Sequence, residues 1–383
     1  MGTDTLKLDL LIVGGGLWGS LAAAALKRHR PEVRFLLLEA GPRLGGSHTW
    51  SYHDSDVPDS MRDIVRAASH AHWDEHEVRF PARTRRLATG YGSMTDQSLH
   101  DAIAPLLGDS LRLGTRFDPA SAPSAAAVWD VRGFAPFTQP GSAPVTGFQK
   151  FVGYEVALAK PHGLRGPILM DATVPQLGDY RFVYTLPFGE RTVLIEDTRY
   201  SDTDAIDEAH FDAEIRAYAK GQGWEITTVI RKEIAALPIP FEAAYFDQCV
   251  PVPPLASELP IPGGTRAGLF HEVTGYSVPN ALAFIDALIR IPDLKAHPRA
   301  TLRALTLETL AATRWQRHYL LMLSRMLFRA AEPDLRYRIF ERFYGLSEGL
   351  IQRFYAGRLQ ISDAIRIVAG KPPVPILRAL KTL

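Results

Sequence analysis

Asp9-Leu-Leu-Ile-Val-Gly14-Gly15-Gly16-Leu-Trp-Gly19-Ser20, continued by Val33-Arg-Phe-Leu-Leu-Leu-Glu39, decides how the chain is read. The first apolar run predicts a strand, Gly-x-Gly-x-x-Gly a tight turn, the alanine-rich stretch a helix, and the second apolar run a strand ending in an acid. That order is what a dinucleotide-binding βαβ unit requires. Gly14 permits the turn, Gly16 lets the backbone approach a pyrophosphate, and Gly19 lets helix and strand pack closely. The helix N-terminus offers free N–H groups to the phosphates. Glu39 is placed to accept hydrogen bonds from ribose hydroxyls, and its charge would repel a 2′-phosphate. The stretch 8–26 is nearly uncharged, but its three consecutive glycines argue against a membrane span or a signal peptide.

The 383 residues suffice for a large core divided into two or three units. A formal net charge of +1 gives no reason to expect nucleic acid as a partner. Cys249 is the single cysteine, which excludes an intrachain disulfide framework and any multi-cysteine metal cluster. A reducing, cytoplasmic setting follows as the default.

Thr49 to His53 predicts an extended segment, and Ser93 or Thr95 caps a helix starting near Leu99. Ala127-Val-Trp-Asp130-Val-Arg132-Gly133 reads as a returning nucleotide-domain strand. The alternation Tyr180-Arg-Phe182-Val-Tyr184-Thr-Leu186, the turn near Gly189 and Thr192-Val-Leu-Ile-Glu196-Asp197 together predict a β-hairpin. The resulting organisation is a nucleotide-binding domain over 1–139, an inserted antiparallel-sheet substrate domain over 140–250, a return segment over 251–300 and a helical region over 301–383. Within 314–330 a broad apolar face lies beside Arg314, His318, Arg325 and Arg329. It reads first as a core helix and second as a face for anionic lipid.

Taken together, these segments resemble the bacterial FAD-dependent lycopene β-cyclases of the carotenoid pathway. The resemblance runs from Asp9 through His48-Thr-Trp-Ser-Tyr-His53, Gly147-Phe-Gln-Lys-Phe-Val-Gly153 and Asp171-Ala-Thr-Val-Pro-Gln176 to Leu194-Ile-Glu196-Asp197-Thr198. It continues through Thr274-Gly275-Tyr276-Ser277, Arg325-Met-Leu-Phe328, Arg342-Phe-Tyr344, Arg353-Phe-Tyr-Ala-Gly357 and Gly370-Lys-Pro-Pro-Val-Pro375. Two places depart from the family pattern. His271-Glu272-Val273-Thr274 stands where His-Pro-Thr-Thr is expected, and Arg231-Lys-Glu-Ile-Ala-Ala-Leu-Pro238 lacks a glycine before Leu-Pro.

The resemblance implies an α/β protein with a Rossmann-type, glutathione-reductase-like FAD domain, and flavin contacts at Gly45, Gly46 and Gly275. It implies lycopene and γ-carotene as substrates, reduced FAD as cofactor, NAD(P)H as external reductant, and other carotenoid-pathway enzymes as neighbours. Cyclisation begins with protonation of a terminal double bond, proceeds by ring closure on the resulting cation and ends with proton loss, without net redox. Such chemistry needs an acid in an apolar cavity and electron-rich surroundings. Glu196 ends an apolar strand on the face of Leu194 and is the expected acid, its pKa raised by burial; Asp197, on the other face, is next. Burying a polyene of dozens of carbons at about 0.8 kcal/mol per hydrocarbon group rules out free aqueous diffusion, so peripheral association with a membrane is expected.

Alternative readings are a flavin monooxygenase or desaturase of another apolar molecule, and a carotenoid carrier without chemistry. Gly268-Leu-Phe-His271-Glu lacks the Gly-Asp pair of aromatic hydroxylases. His70, His72 and His76 with Asp74 and Glu75 have no second ligand group at matching spacing, so no metal is expected.

Overall fold

The computed structural model describes residues 8–133, 146–247, 249 and 251–370. The nucleotide unit opens as predicted: β1 (Leu8–Val13), α1 (Leu17–His29), β2 (Phe35–Leu38). There follow β3 (Thr49–His53), α2 (Arg62–Ala68), β4 (Ala71–Trp73), β5 (His76–Phe80), β6 (Arg83–Leu87), β7 (Tyr91–Thr95), α3 (Asp96–Leu107), β8 (Leu111–Arg112) and β9 (Ala125–Asp130). Thr95 is the α3 cap: its hydroxyl accepts from Ser98 N at 3.1 Å while Ser98 Oγ accepts from Thr95 N at 3.0 Å. The central strands are β10 (Thr146–Leu158), β11 (Ile168–Asp171), β12 (Tyr180–Gly189) and β13 (Thr192–Ser201). The chain then forms α4 (Glu208–Gly221), β14 (Ile226–Pro240), α5 (Ala244–Asp247), β15 (Ile261–Pro262) and α6 (Val278–Arg290). It closes with α7 (Pro298–Ala312), α8 (Arg314–Arg325), α9 (Tyr337–Phe343), α10 (Glu348–Tyr355) and α11 (Ile361–Val368).

Two large sheets divide the work. The first is parallel, in the order β15-β9-β1-β2-β8; its apolar strands pack against α1 and α7, and Trp129 of β9 stacks on Phe284 of α6. The second has seven strands, β14-β10-β13-β12-β11-β5-β6, all antiparallel except the β11–β5 pair. β3, β7 and β4 form a third, three-stranded sheet.

The expected boundary at 139/140 is corrected at this point. β5 and β6 precede it by some fifty residues, yet β5 pairs with β11, so 76–87 belong to the seven-stranded sheet. Short strands with mixed polarity carry no mark of which sheet they will join; the pairing is long-range. Residues 134–139, like the 371–375 portion of the last family motif, lie outside the described residues.

The seven-stranded sheet has two unlike faces. Val152, Tyr154, Val183, Val193 and Ile195 point to one side, where α4 covers them with Phe211, Ile215 and Tyr218. Phe182, Leu186, Leu194 and Tyr200 point to the other, toward the helical region, with Phe328, Phe340 and Tyr344 in the same cluster. Strand periodicity of two puts Glu196 on this second face. In α8 and the π turn after it, Leu320, Leu321, Leu327 and Phe328 are buried, so the core reading holds for that part of the helix. On its polar edge Arg325 donates to the Phe241 carbonyl at 2.7 Å, while Arg314, His318 and Arg329 are exposed, Arg329 lying over the Phe241 ring. Among the described residues no helix is long and apolar enough to cross a membrane.

Candidate active site

The glycine turn is built as its spacing predicts. Gly14 has φ +108°, and a Cβ there would come within 3.0 Å of the Arg132 backbone. A Cβ on Gly19 would overlap the Gly14 carbonyl oxygen, so this glycine holds α1 against the turn. Gly16 differs from both: a Cβ there would meet nothing within 4 Å, because the residue faces open space. Glu39, at the end of β2, accepts from Gly15 N and from Gly41 N, each at 2.6 Å. These two bonds fix the carboxylate at the rim of the turn and leave lone pairs for a ribose. Gly45 and Gly46 have φ of +91° and +67°, Gly275 of +67°.

A cavity of about 660 Å³ joins this turn to the second face of the seven-stranded sheet. Gly14, Gly16, Glu39, Gly45, Gly46 and Gly275 border it, as do Phe182, Tyr184, Glu196, Thr198 and Tyr200. Gly19 does not reach it, in keeping with its packing role. Trp18 and His53 also line the cavity, and Trp18 Nε1 and His53 Nδ1 are buried without a hydrogen-bond partner. Open space before Gly16 and an acid at the β2 terminus, both bordering one cavity that runs to the sheet, suit a dinucleotide lying from turn to sheet. His53 is a neutral group there, its pKa lowered to about 3 by burial and by His76.

At the sheet end the environment is aromatic and dry. Tyr184 sits opposite Glu196 in the β12–β13 register. Its hydroxyl bonds Ser51 Oγ at 2.8 Å and Tyr91 Oη at 3.0 Å. Thr198 Oγ1 donates to Glu196 Oε1 at 2.7 Å and orients the carboxyl group. Glu196 is half-buried and borders the cavity. Burial is the largest influence on its acidity and the negative charge of Glu233 the next, and together they hold its pKa well above the ordinary carboxylate range.

Asp197 is corrected as a site residue. It is fully buried on the α4 side of the sheet and does not border the cavity. Arg181 Nε lies 2.8 Å and Arg199 Nε 3.0 Å from its carboxylate, and Arg181 also reaches Glu214 on α4 at 3.0 Å. One step along a regular strand reverses the side chain, and here it separates a cavity acid from a packing ion pair. Glu272, at the departure from the family pattern, is likewise turned away from the cavity, onto Arg317 of α8 at 3.1 Å. Thr274, Gly275 and Tyr276 still line the cavity. The histidines at 70–76 are dispersed: His72 bonds Asp54, His76 Nδ1 faces the Thr89 carbonyl, and His70 packs edge-on to Phe188.

The lycopene cyclase protein family model matches residues 9–113 and 120–381. The chain belongs to the lycopene cyclase family. It is 41% identical over 389 residues to the lycopene β-cyclase of Pantoea ananas, covering 98% of this chain and 97% of that one. Against the lycopene β-cyclase of a Paracoccus species the figures are 42% over 397 residues, 98% and 97%. Among solved structures, a geranylgeranyl bacteriochlorophyll reductase-like protein from Thermoplasma acidophilum superposes with a TM-score of 0.64 at 12% identity, covering 98% of this chain and 99% of that one. A probable FAD-dependent monooxygenase from Pseudomonas aeruginosa gives 0.57 at 15%, with 88% and 99% covered. The last two likenesses establish the fold of this lycopene cyclase family member, a Rossmann-type unit joined to a large antiparallel sheet.

Proposed function

We propose that the chain is an FAD-dependent lycopene β-cyclase that converts lycopene through γ-carotene to β-carotene, with Glu196 as the acid. The observation that carries this reading is that Glu196 and the glycine turn border one cavity. Glu196 holds its proton at neutral pH because its surroundings penalise the carboxylate. Its O–H bond breaks as a C–H bond forms on the terminal alkene carbon of the polyene. The neighbouring double bond closes a six-membered ring on the resulting tertiary cation, and loss of one proton completes the isomerisation. Tyr184, Phe182 and Tyr200 offer electron-rich ring faces, each contributing about 0.5–2 kcal/mol where a ring faces the cation. Gly14, Gly16, Glu39, Gly45, Gly46 and Gly275 would hold FAD, which, reduced by NAD(P)H as an external donor, would contribute negative charge that favours the cation without being consumed.

The polyene is insoluble, so a peripheral membrane position is part of the proposal. A supporting surface is α11. Ile361, Ile365 and Val368 on that helix are 72%, 62% and 44% exposed at a spacing of four and three residues, beside exposed Arg358 and Arg366.

A pigment assay in lycopene-accumulating cells tests the function. Expression of the chain turns red cells orange with a β-carotene absorption spectrum; cells that remain red with folded, flavin-loaded protein contradict it.

A further inference from the structure

Glu196 has a second acid for a neighbour. β13, β10 and β14 are adjacent antiparallel strands, and their registers put Gly153 opposite Glu196 on one side and opposite Glu233 on the other. The residue between the two acids therefore has no side chain. A Cβ at 153 would lie 3.0 Å from Glu233 Cγ, 3.2 Å from Glu233 Oε1 and 3.3 Å from Glu196 Cγ, so both acids lean into the gap that the glycine leaves. Glu233 is buried, and its two oxygens are treated differently. Arg231 Nη1 donates to Oε2 at 3.0 Å, whereas Oε1 is buried and receives no donor. Arg231 is itself held by Glu155 at 3.2 Å and by Thr49 Oγ1 at 2.7 Å. An anion with an arginine on one oxygen and nothing on the other lacks a single proton donor. Across Gly153, a protonated Glu196 is that donor.

We propose that Glu233 is the positioning residue of the acid: with Arg231 on its Oε2, it holds the Glu196 proton across Gly153 through its undonated Oε1, so that the two acids share one proton. The inference rests on Glu196 being the acid. When Glu196 gives its proton to the alkene carbon, two carboxylates face each other in a dry site. The proton lost from the ring cation restores the pair to one, with no electron gained or lost. This is the logic of a paired-carboxylate site, in which like charges cannot both ionise readily.

The test is the pH profile of kcat for the full-length, FAD-loaded enzyme with lycopene in liposomes, run on the wild type, Glu233→Gln, Glu233→Asp and Glu196→Gln, with flavin content measured for each. Glu233→Gln removes the opposing charge, so the alkaline limb of kcat moves down by about one pH unit or more, a tenfold loss at any pH on that limb, while KM is little changed. Glu233→Asp keeps the charge and returns the limb toward the wild-type position. If Glu233→Gln unfolds, Gly153→Ala wedges a methyl group between the two acids and must shift the limb in the same direction. A flavin-loaded Glu233→Gln or Gly153→Ala enzyme with an unmoved limb overturns the role of Glu233. If Glu196→Gln is inactive at every pH, that failure leaves the acid assignment intact; if Glu196→Gln turns over normally, both readings fall.

Discussion

Glu196 and Asp197 are consecutive residues on opposite faces of the seven-stranded sheet, one bordering the cavity and the other fully buried between Arg181 and Arg199. The same functional group thus serves two purposes within one step of the chain. On the cavity side burial and the neighbouring Glu233 push the pKa of the carboxyl group well above its ordinary range; on the α4 side a carboxylate is paired with two guanidinium groups.

Substitution separates the two roles. Glu196→Gln keeps shape and loses the transferable proton, so cyclisation falls at least about a hundredfold while folding and flavin content persist. Asp197→Asn takes the shared carboxylate from buried Arg199 and leaves Arg181 with Glu214 alone, at a cost on the order of 3–5 kcal/mol of stability. Denaturant unfolding and turnover per folded molecule, measured on both variants, check the contrast. A destabilised Glu196→Gln and a stable but inactive Asp197→Asn would reverse the assignments.

The glycine turn makes a similar pair of predictions. Gly16 faces open space, so Gly16→Val leaves the fold intact and abolishes flavin retention by filling the space before the turn. Gly19→Ala sets a methyl group against the Gly14 carbonyl and lowers the melting temperature itself. Flavin absorbance after gel filtration and thermal unfolding of the apoprotein distinguish them.

Stability should also report the Glu196 proton. In the unfolded chain a glutamate ionises at about pH 4.3, and in the folded protein its pKa is raised well above that. The folded state therefore binds the proton more tightly. The contribution is full below the unfolded value and is lost as pH rises through the folded one. Glu196→Gln cannot ionise, so the wild type should lose stability relative to it between acid and alkaline pH. Parallel stability curves over that range would refute the raised pKa.

Membrane association should depend on α11. Replacing Ile361 and Ile365 by serine removes two exposed apolar side chains and touches no core contact of the cavity, so sedimentation with anionic liposomes should weaken while flavin content stays constant. Binding through Arg358 and Arg366, at about 1 kcal/mol each near an anionic surface, should be the salt-sensitive part. Unchanged sedimentation of the double variant would place the docking face elsewhere.

Much of the site was legible because it rests on local spacing. The β1-α1-β2 order, the hairpin closing between Gly189 and Thr192, and the opposite facing of Glu196 and Asp197 all follow from periodicities of two and 3.6 residues. Glu233 was not legible. Its meeting with Glu196 depends on two strand registers converging on Gly153, across 43 residues on one side and 80 on the other, and the sequence around it reads only as a polar stretch. The entry of β5 and β6 into the larger sheet escaped notice for the same reason: long-range pairing leaves no mark in the strand itself.

Acid-initiated, redox-neutral cyclisation is tested most directly by running the reaction anaerobically in D₂O with dithionite-reduced FAD, no NAD(P)H and lycopene in liposomes, then weighing the product by mass spectrometry. With the proton returned to the acid pair exchanging with solvent between turnovers, one deuteron delivered through Glu196 per ring predicts β-carotene two mass units heavier than its unlabelled form, flavin still reduced at the end, and no product from Glu196→Gln. Unlabelled β-carotene, flavin oxidised in proportion to the rings formed, or undiminished turnover by Glu196→Gln would contradict it.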